Sequence, residues 1–139
     1  AITGTHTSTA MEQLDILAEE GADMSRVIVD HVNGIADPDL HAAIAARGPF
    51  TCFNTFPVSS LDLLNRDGRL IKAMVDAGLT NHIMISTGVS TKNHLEAYGG
   101  GGYKYAVTGF KRIVLSNGVS EEAWATITVN NPKRALCIE

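Results

Sequence analysis

The chain has 139 residues, of which 45% are apolar and 19% are charged, and this balance indicates one folded domain rather than a disordered chain. Its net charge of −4 at pH 7 argues against nucleic acid or an anionic membrane as a partner, since both require a basic surface. No apolar run approaches the roughly 18 residues of a transmembrane helix. Two cysteines without a CxxC motif predict a reducing, cytoplasmic setting.

Short apolar runs alternate with helical patterns four times along the chain. The predicted strands are residues 1–6, 27–29, 50–53 and 82–86. Helices are expected after the cap signal at residues 7–9, from Pro38, from about Asp67, near residues 103–115, at 120–129 and from Asn131. Strands that alternate with helices are typical of βαβ units with a parallel sheet. The sequence therefore predicts a single α/β domain over residues 1–139.

Polar side chains follow each predicted strand, at the edge where parallel α/β folds hold their functional groups. His6 and His31 end the first two strands, and the spacing between them allows one right-handed crossover. Two imidazoles there are half of a Zn²⁺ site, or they are hydrogen-bonded histidines at the core edge; spacing alone leaves both open. Asp30 is expected to point away from His31, since successive strand residues face opposite sides.

Several other residues are predicted to be structural. His41, His82 and His94 fit no ligand spacing and are expected at the surface or in loops. The four glycines at 99–102 lack the Lys and Ser/Thr of a phosphate-binding P-loop, which favours a flexible loop. Cys52 lies inside a strand and is predicted to be a core residue rather than a nucleophile.

The order and spacing of several motifs resemble the carboxyl-terminal half of the phosphotriesterase family, in the amidohydrolase superfamily. These motifs are THT at 5–7, EQL at 12–14, SRV at 25–27 with His31, AARG at 45–48, LIKA at 70–73, DAG at 76–78, HL at 94–95, GGGGY at 99–103 and NP at 131–132. The lactonase-like branch of the family is the most similar.

The resemblance implies a fold and a metal site. The family fold is a (β/α)8 barrel, so the four units here would be strands five to eight, which is a half-barrel. The family's histidine ligands on strands five and six correspond to His6 and His31, which would bind one of two divalent metals, with Zn²⁺ expected. The family's His-x-His pair on strand one and its bridging lysine on strand four are absent from this chain.

The chain departs from the family pattern at its carboxylates. The strand-eight aspartate, a metal ligand and proton acceptor in the family, corresponds to Gly88, so no catalytic residue is assigned. The aspartates that follow strands six and seven correspond to Asn33 and Asn54. Thr91 stands where the branch commonly has an arginine, with Lys92 beside it. By resemblance, Asn54, Thr91 and Lys92 are candidates for substrate contact.

Two functions of different classes remain open. The resemblance implies a metal-dependent hydrolase of a small phosphate ester or lactone, which requires the rest of the barrel. The missing carboxylates favour instead a non-catalytic half-barrel that acts as a binding or assembly module, since four strands leave two unpaired edges. Either way, a homodimer or a complementary half-barrel chain is expected, because the inner face, predicted to carry Ile28, Phe53 and Ile85, would otherwise be exposed to water.

Overall fold

A computed structural model describes residues 2–4, 9–54 and 60–137, with residues 2–4 described by their backbone alone. The strands are β1 (Ile2–Gly4), β2 (Ile28–Asp30), β3 (Phe50–Phe53) and β4 (Ile83–Ile85). They form one parallel sheet in the order β1-β2-β3-β4. This arrangement confirms the predicted α/β class with a parallel sheet.

The helices of the described residues lie between and after these strands. They are α1 (Ala10–Glu19), α2 (Pro38–Ala46), α3 (Leu61–Asp76), α4 (Gly109–Ser116), α5 (Glu121–Ala125) and α6 (Asn131–Leu136), and a π-helical segment, Thr126–Asn130, joins α5 to α6. None of them combines the length and the apolar composition that a membrane crossing requires.

Helix α3 begins at Leu61, six residues before the predicted start near Asp67. The Ser60 hydroxyl accepts a hydrogen bond from the Leu63 amide and caps the helix. The first turn is mostly exposed, so the apolar periodicity begins only later in the helix. The predicted helical start near Tyr103 is also wrong, because Tyr103–Val107 is a 3-10 turn and α4 follows at Gly109.

Both faces of the sheet are buried, and they belong to different clusters. The face toward the helices packs strand residues against α1 to α4 and includes Val29, Phe53, Ile83, Leu14, Ile44, Ile71 and Phe110. The opposite, inner face carries Ile28, Phe50, Cys52 and Met84, with Ala135 of α6 packed on them. Ile28 therefore lies on the predicted face. Phe53 and Ile85 lie on the helix side, because they alternate with Cys52 and Met84 along their strands.

Helix α6 is attached to the amino-terminal edge of the sheet. The Asn131 side-chain amide donates to the carbonyls of Thr80 and Ile83, at 2.8 and 2.7 Å. The Arg26 guanidinium donates to the Cys137 carbonyl at 2.6 Å, beyond the last turn of the helix. These bonds hold α6 against the amino-terminal edge of the sheet. Functional groups are expected at the other edge, where the strands end.

Close packing accounts for the glycines in the segment between β4 and α4. A Cβ on Gly100 would lie 2.3 Å from the Asn93 carbonyl oxygen, and one on Gly101 would lie 2.7 Å from the Tyr105 ring. Gly102 has a φ of +65°, which favours glycine. The glycine run therefore has a packing reason in addition to the loop position that the sequence indicates.

Candidate functional site

The carboxyl ends of β2 and β3 bring Asp30, His31 and Asn54 into contact. The Nδ1 atom of His31 is hydrogen bonded to Oδ1 of Asn54. Nδ2 of Asn54 donates to Oδ1 of Asp30 at 2.6 Å, and Oδ2 of Asp30 lies 3.7 Å from Nδ1 of His31. The candidate ligand His31 and the candidate substrate residue Asn54 are thus direct neighbours, and the Asp30 carboxylate is hydrogen bonded to Asn54.

The prediction that Asp30 points away from His31 is wrong. His31 has a φ of +61°, and a 3-10 turn, Val32–Gly34, follows it. The alternation of side chains holds only in extended backbone, and this left-handed residue turns its ring back toward Asp30. Such a conformation costs a residue with a Cβ on the order of 1 kcal/mol, so the surrounding contacts must hold it in place.

Asn33 adds a hydrogen-bonded rung between β2 and β3. Its Nδ2 atom donates to the Asn54 carbonyl at 2.7 Å, and the Asn54 amide donates to its Oδ1 at 3.2 Å. The side chain thus pairs with the backbone as a neighbouring strand would. Both asparagines are buried, with 6% and 4% of their surface exposed. The end of β3 is therefore fixed where Asn54 meets His31.

An ion pair on α3, in which the Asp67 carboxylate is buried and Arg66 is partly exposed, supports these bonds. Oδ2 of Asp67 accepts from Nδ2 of Asn33 at 3.1 Å, and the Arg66 guanidinium donates to Oδ1 of Asp67 at 2.9 Å and to the Asn33 carbonyl at 2.7 Å. Burial raises the pKa of Asp67, while Arg66 and Asn33 oppose that rise. None of these supporting contacts was predicted from the sequence.

His41, predicted at the surface or in a loop, is completely buried in α2. Its Nε2 donates to the Val32 carbonyl at 2.9 Å, and its ring packs edge-on against Phe53 with centroids 5.4 Å apart. Burial lowers the pKa of His41, which favours the neutral ring. The sequence did hold a signal, because His41 precedes the buried Ile44 and Ala45 by three and four residues, on the same helix face.

Thr91 and Lys92 lie on the exposed segment after β4. The Thr91 hydroxyl is hydrogen bonded to Asn93, and the Lys92 ammonium lies 5.7 Å from the centroid of the Tyr98 ring. Nδ1 of His94 accepts from the Ser90 amide at 3.2 Å and lies 3.0 Å from the Gly88 carbonyl oxygen. Within the described residues, these contacts stay inside the segment and do not join the cluster around His31.

His6 lies outside the described residues, so its convergence with His31 stays a prediction. The strands that precede the two histidines are adjacent and parallel, as predicted, and Gly4 lies opposite Asp30. Within the part of the chain that the structure describes, no three His, Cys, Asp or Glu side chains converge as a metal-binding set. A complete ligand set would therefore need further residues beside His31.

Cys52 is a core residue, as predicted. It is 4% exposed on the inner face of the sheet, among Ile28, Phe50 and Met84. Burial, together with the nearby carboxylate of Asp30, raises the pKa of the thiol far above its ordinary value. A thiol in that environment stays protonated and does not act as a nucleophile.

Comparison with known proteins covers nearly the whole chain. The model of the phosphotriesterase family matches residues 1–136. The phosphotriesterase homology protein of Escherichia coli is 31% identical over 133 residues, which are 94% of this chain and 46% of that protein. The N-acetyltaurine hydrolase of Bos taurus is 27% identical over 144 residues, covering 96% of this chain and 41% of that protein.

Solved structures agree with the sequence match. A resiniferatoxin-binding protein from Rhodobacter sphaeroides superposes with a TM-score of 0.90 and 28% identity, over 96% of this chain and 40% of that one. The Escherichia coli phosphotriesterase homology protein, solved with phosphate in its active site, gives a TM-score of 0.89 and covers 46% of that chain. The chain spans less than half the length of these relatives. From the family match over residues 1–136, the chain belongs to the phosphotriesterase family.

Proposed function

We propose that residues 1–139 form one domain, the half of a (β/α)8 barrel that corresponds to strands five to eight. Two observations support this: the four strands are parallel and follow one another in chain order, and solved relatives superpose over 96% of the chain. Such a barrel closes with eight strands. The other four strands would come from a longer polypeptide or from a second chain.

We further propose that this half carries part of the metal site of a cytoplasmic hydrolase. The observation that carries the proposal is the contact between His31 and Asn54. Histidines that bind metals almost always donate their second ring N–H to an acceptor, and Asn54 provides that acceptor. His31, with His6 from the neighbouring strand, would hold one divalent metal, for which Zn²⁺ is expected. A bound Zn²⁺ would supply Lewis-acid polarisation of a carbonyl or phosphoryl oxygen.

The substrate class is a small phosphate ester or a lactone, and the relatives named N-acetyltaurine hydrolase add a small amide. Thr91 and Lys92 would meet the substrate from the segment after β4, while Asn54, which is buried between Asp30 and His31, would act on the metal ligand rather than on the substrate. The proton acceptor of the reaction would come from the other half of the barrel, since Gly88, Asn33 and Asn54 offer no carboxylate. We therefore expect negligible turnover by this chain alone. The substitution Gly88→Asp should not restore turnover, because the family's bridging lysine and His-x-His pair would still be absent.

Zinc titration of the purified chain tests the metal site. Wild type should bind Zn²⁺ weakly, with water or a partner chain completing the ligand shell, and the double variant His6→Ala/His31→Ala should show no measurable binding. His82→Ala is the matched control, because its Nδ1 is hydrogen bonded to the Pro49 carbonyl at the opposite edge of the sheet. Unchanged zinc affinity in the double variant would contradict the site, as would a loss of affinity in the control equal to that of the double variant.

A second candidate function is a non-catalytic half-barrel that acts as an assembly module. It is favoured by an apolar groove of about 300 Å³ on the inner face, lined in part by Ile28, Met84 and Leu136, the last of which is 61% exposed. A second copy of the chain, or a complementary half-barrel, would cover this groove. Analytical ultracentrifugation distinguishes the cases: a stable monomer at all concentrations would contradict a homodimer.

A further inference from the structure

The side chain of Asn54 has one conformational choice left. Its backbone N–H and carbonyl are both hydrogen bonded to the Asn33 side chain. Only 4% of the residue is exposed, so the side chain cannot turn away into water. What remains is the orientation of the amide, which can present either its oxygen or its NH₂ group to His31. These two orientations have opposite consequences for the imidazole.

Asp30 decides between these orientations. A carboxylate only accepts hydrogen bonds, so the group that faces it at 2.6 Å must be the NH₂ of Asn54. The amide oxygen then faces Nδ1 of His31. Because an amide oxygen also only accepts, Nδ1 must carry the hydrogen, and in the neutral ring the lone pair is on Nε2.

The influence of Asp30 on His31 passes through Asn54. Oδ2 of Asp30 is 3.7 Å from Nδ1 of His31, which is too long for a hydrogen bond. We propose that Asp30 is a positioning residue of this site: through the Asn54 amide it holds His31 in the tautomer that has its hydrogen on Nδ1. The consequence for metal binding rests on the proposed function, whereas the tautomer itself does not.

Long-range ¹H–¹⁵N correlation spectra of the metal-free, ¹⁵N-labelled chain test this proposal, recorded well above the ordinary pKa of histidine. In wild type, His31 should show the Nδ1–H tautomer. In Asp30→Asn, residue 30 can donate as well as accept, so the Asn54 amide is released to turn over and the Nε2–H form should become populated. Asp76→Asn, which alters an exposed carboxylate paired with Lys72 on α3, should leave the His31 signals unchanged.

Exchanging the side chains at positions 30 and 54 tests the bond between residue 54 and His31. In Asp30→Asn/Asn54→Asp, the new amide would donate to the new carboxylate, whose second oxygen would accept from Nδ1 of His31. The wild-type tautomer should therefore return, because a carboxylate at position 54 can only accept from Nδ1 of His31. Asp30→Ala serves as the second single variant should Asp30→Asn fail to fold. Retention of the wild-type tautomer in a folded single variant, or no return in the folded exchange variant, would overturn the proposal.

Zinc titration of the same variants separates this inference from the proposed function. A ring with its hydrogen on Nε2 cannot bind a metal through that nitrogen, so zinc affinity should fall about tenfold or more in Asp30→Asn and recover in the exchange variant. A tautomer change without any change in zinc affinity would support the role of Asp30 and contradict the metal site. Zinc binding that depends on His31 with an unchanged tautomer would support the metal site and contradict the role of Asp30.

Discussion

Two buried asparagines, at opposite edges of the sheet, are used in different ways. Asn131 is completely buried and donates to two backbone carbonyls, those of Thr80 and Ile83, so it joins α6 to the sheet. Asn54 is almost as buried, but its side chain lies between a carboxylate and an imidazole. Asn131 and Asn54 are the same residue type and are similarly buried, but they differ in their hydrogen-bond partners. Backbone partners make a fixed joint, whereas titratable partners make a group of atoms that can take part in chemistry.

The two edges also differ in backbone strain and in hydrogen bonding. The edge near Asn54 contains His31 at a positive φ and the buried His41, whose Nδ1 has no hydrogen-bond partner among the described residues. Strained backbone and unpaired polar atoms gather at functional sites, because stability alone would not select them. This supports the assignment of the site to the carboxyl edge.

The largest expected effect lies at the amino-terminal edge. Asn131→Leu should lower the free energy of unfolding by about 2–4 kcal/mol, because two buried carbonyls lose their donor. Urea unfolding measures this, with the exposed Asn130→Leu as the control that should change little. Zinc affinity of the folded variant should equal that of wild type. A loss of zinc affinity with unchanged stability would mean that the two edges do not divide structure and function as described.

A smaller effect is expected from the backbone of His31. His31→Gly and His31→Val should both lose zinc binding, but the valine variant should be less stable than the glycine variant by about 1–3 kcal/mol. The reason is that a β-branched residue does not tolerate a φ of +61°. Equal stability of the two variants in urea unfolding would show that this residue is not held in the left-handed region.

The smallest effect concerns the pH dependence that His41 adds. Its pKa in the folded chain is lowered below the ordinary 6.5, so the unfolded chain takes up this proton first as the pH falls. The stability that the neutral ring contributes is therefore complete above 6.5 and is lost progressively below it. His41→Gln, which can still donate to the Val32 carbonyl, should lose less stability than wild type between neutral and mildly acidic pH. Urea unfolding of both proteins at several pH values measures the free energy of unfolding. An identical dependence of that free energy on pH in wild type and His41→Gln would contradict the prediction.

Local patterns in the sequence were sufficient for the class of fold and for where polar side chains gather. The strand Phe50–Phe53, in which every residue but Thr51 is apolar, lies between Pro49 and Asn54, and its predicted bounds match the structure. His31 and Asn54 could be placed at the carboxyl edge because side chains that follow parallel strands meet there. These features depend on neighbours along the chain, and so they can be predicted without knowledge of the tertiary contacts.

Only the tertiary structure decided how those side chains face one another. His31 turns its ring toward Asp30 because it takes a positive φ, and no local pattern marks this histidine as left-handed. Phe53 and Ile85 face the helices because the alternation of each strand is set by what packs on both sides of the sheet. Asp67, on α3, accepts a hydrogen bond from Asn33, which lies in the turn after β2. A hydrogen bond between distant residues depends on the packing of whole elements, and a pattern read along one segment does not contain that information.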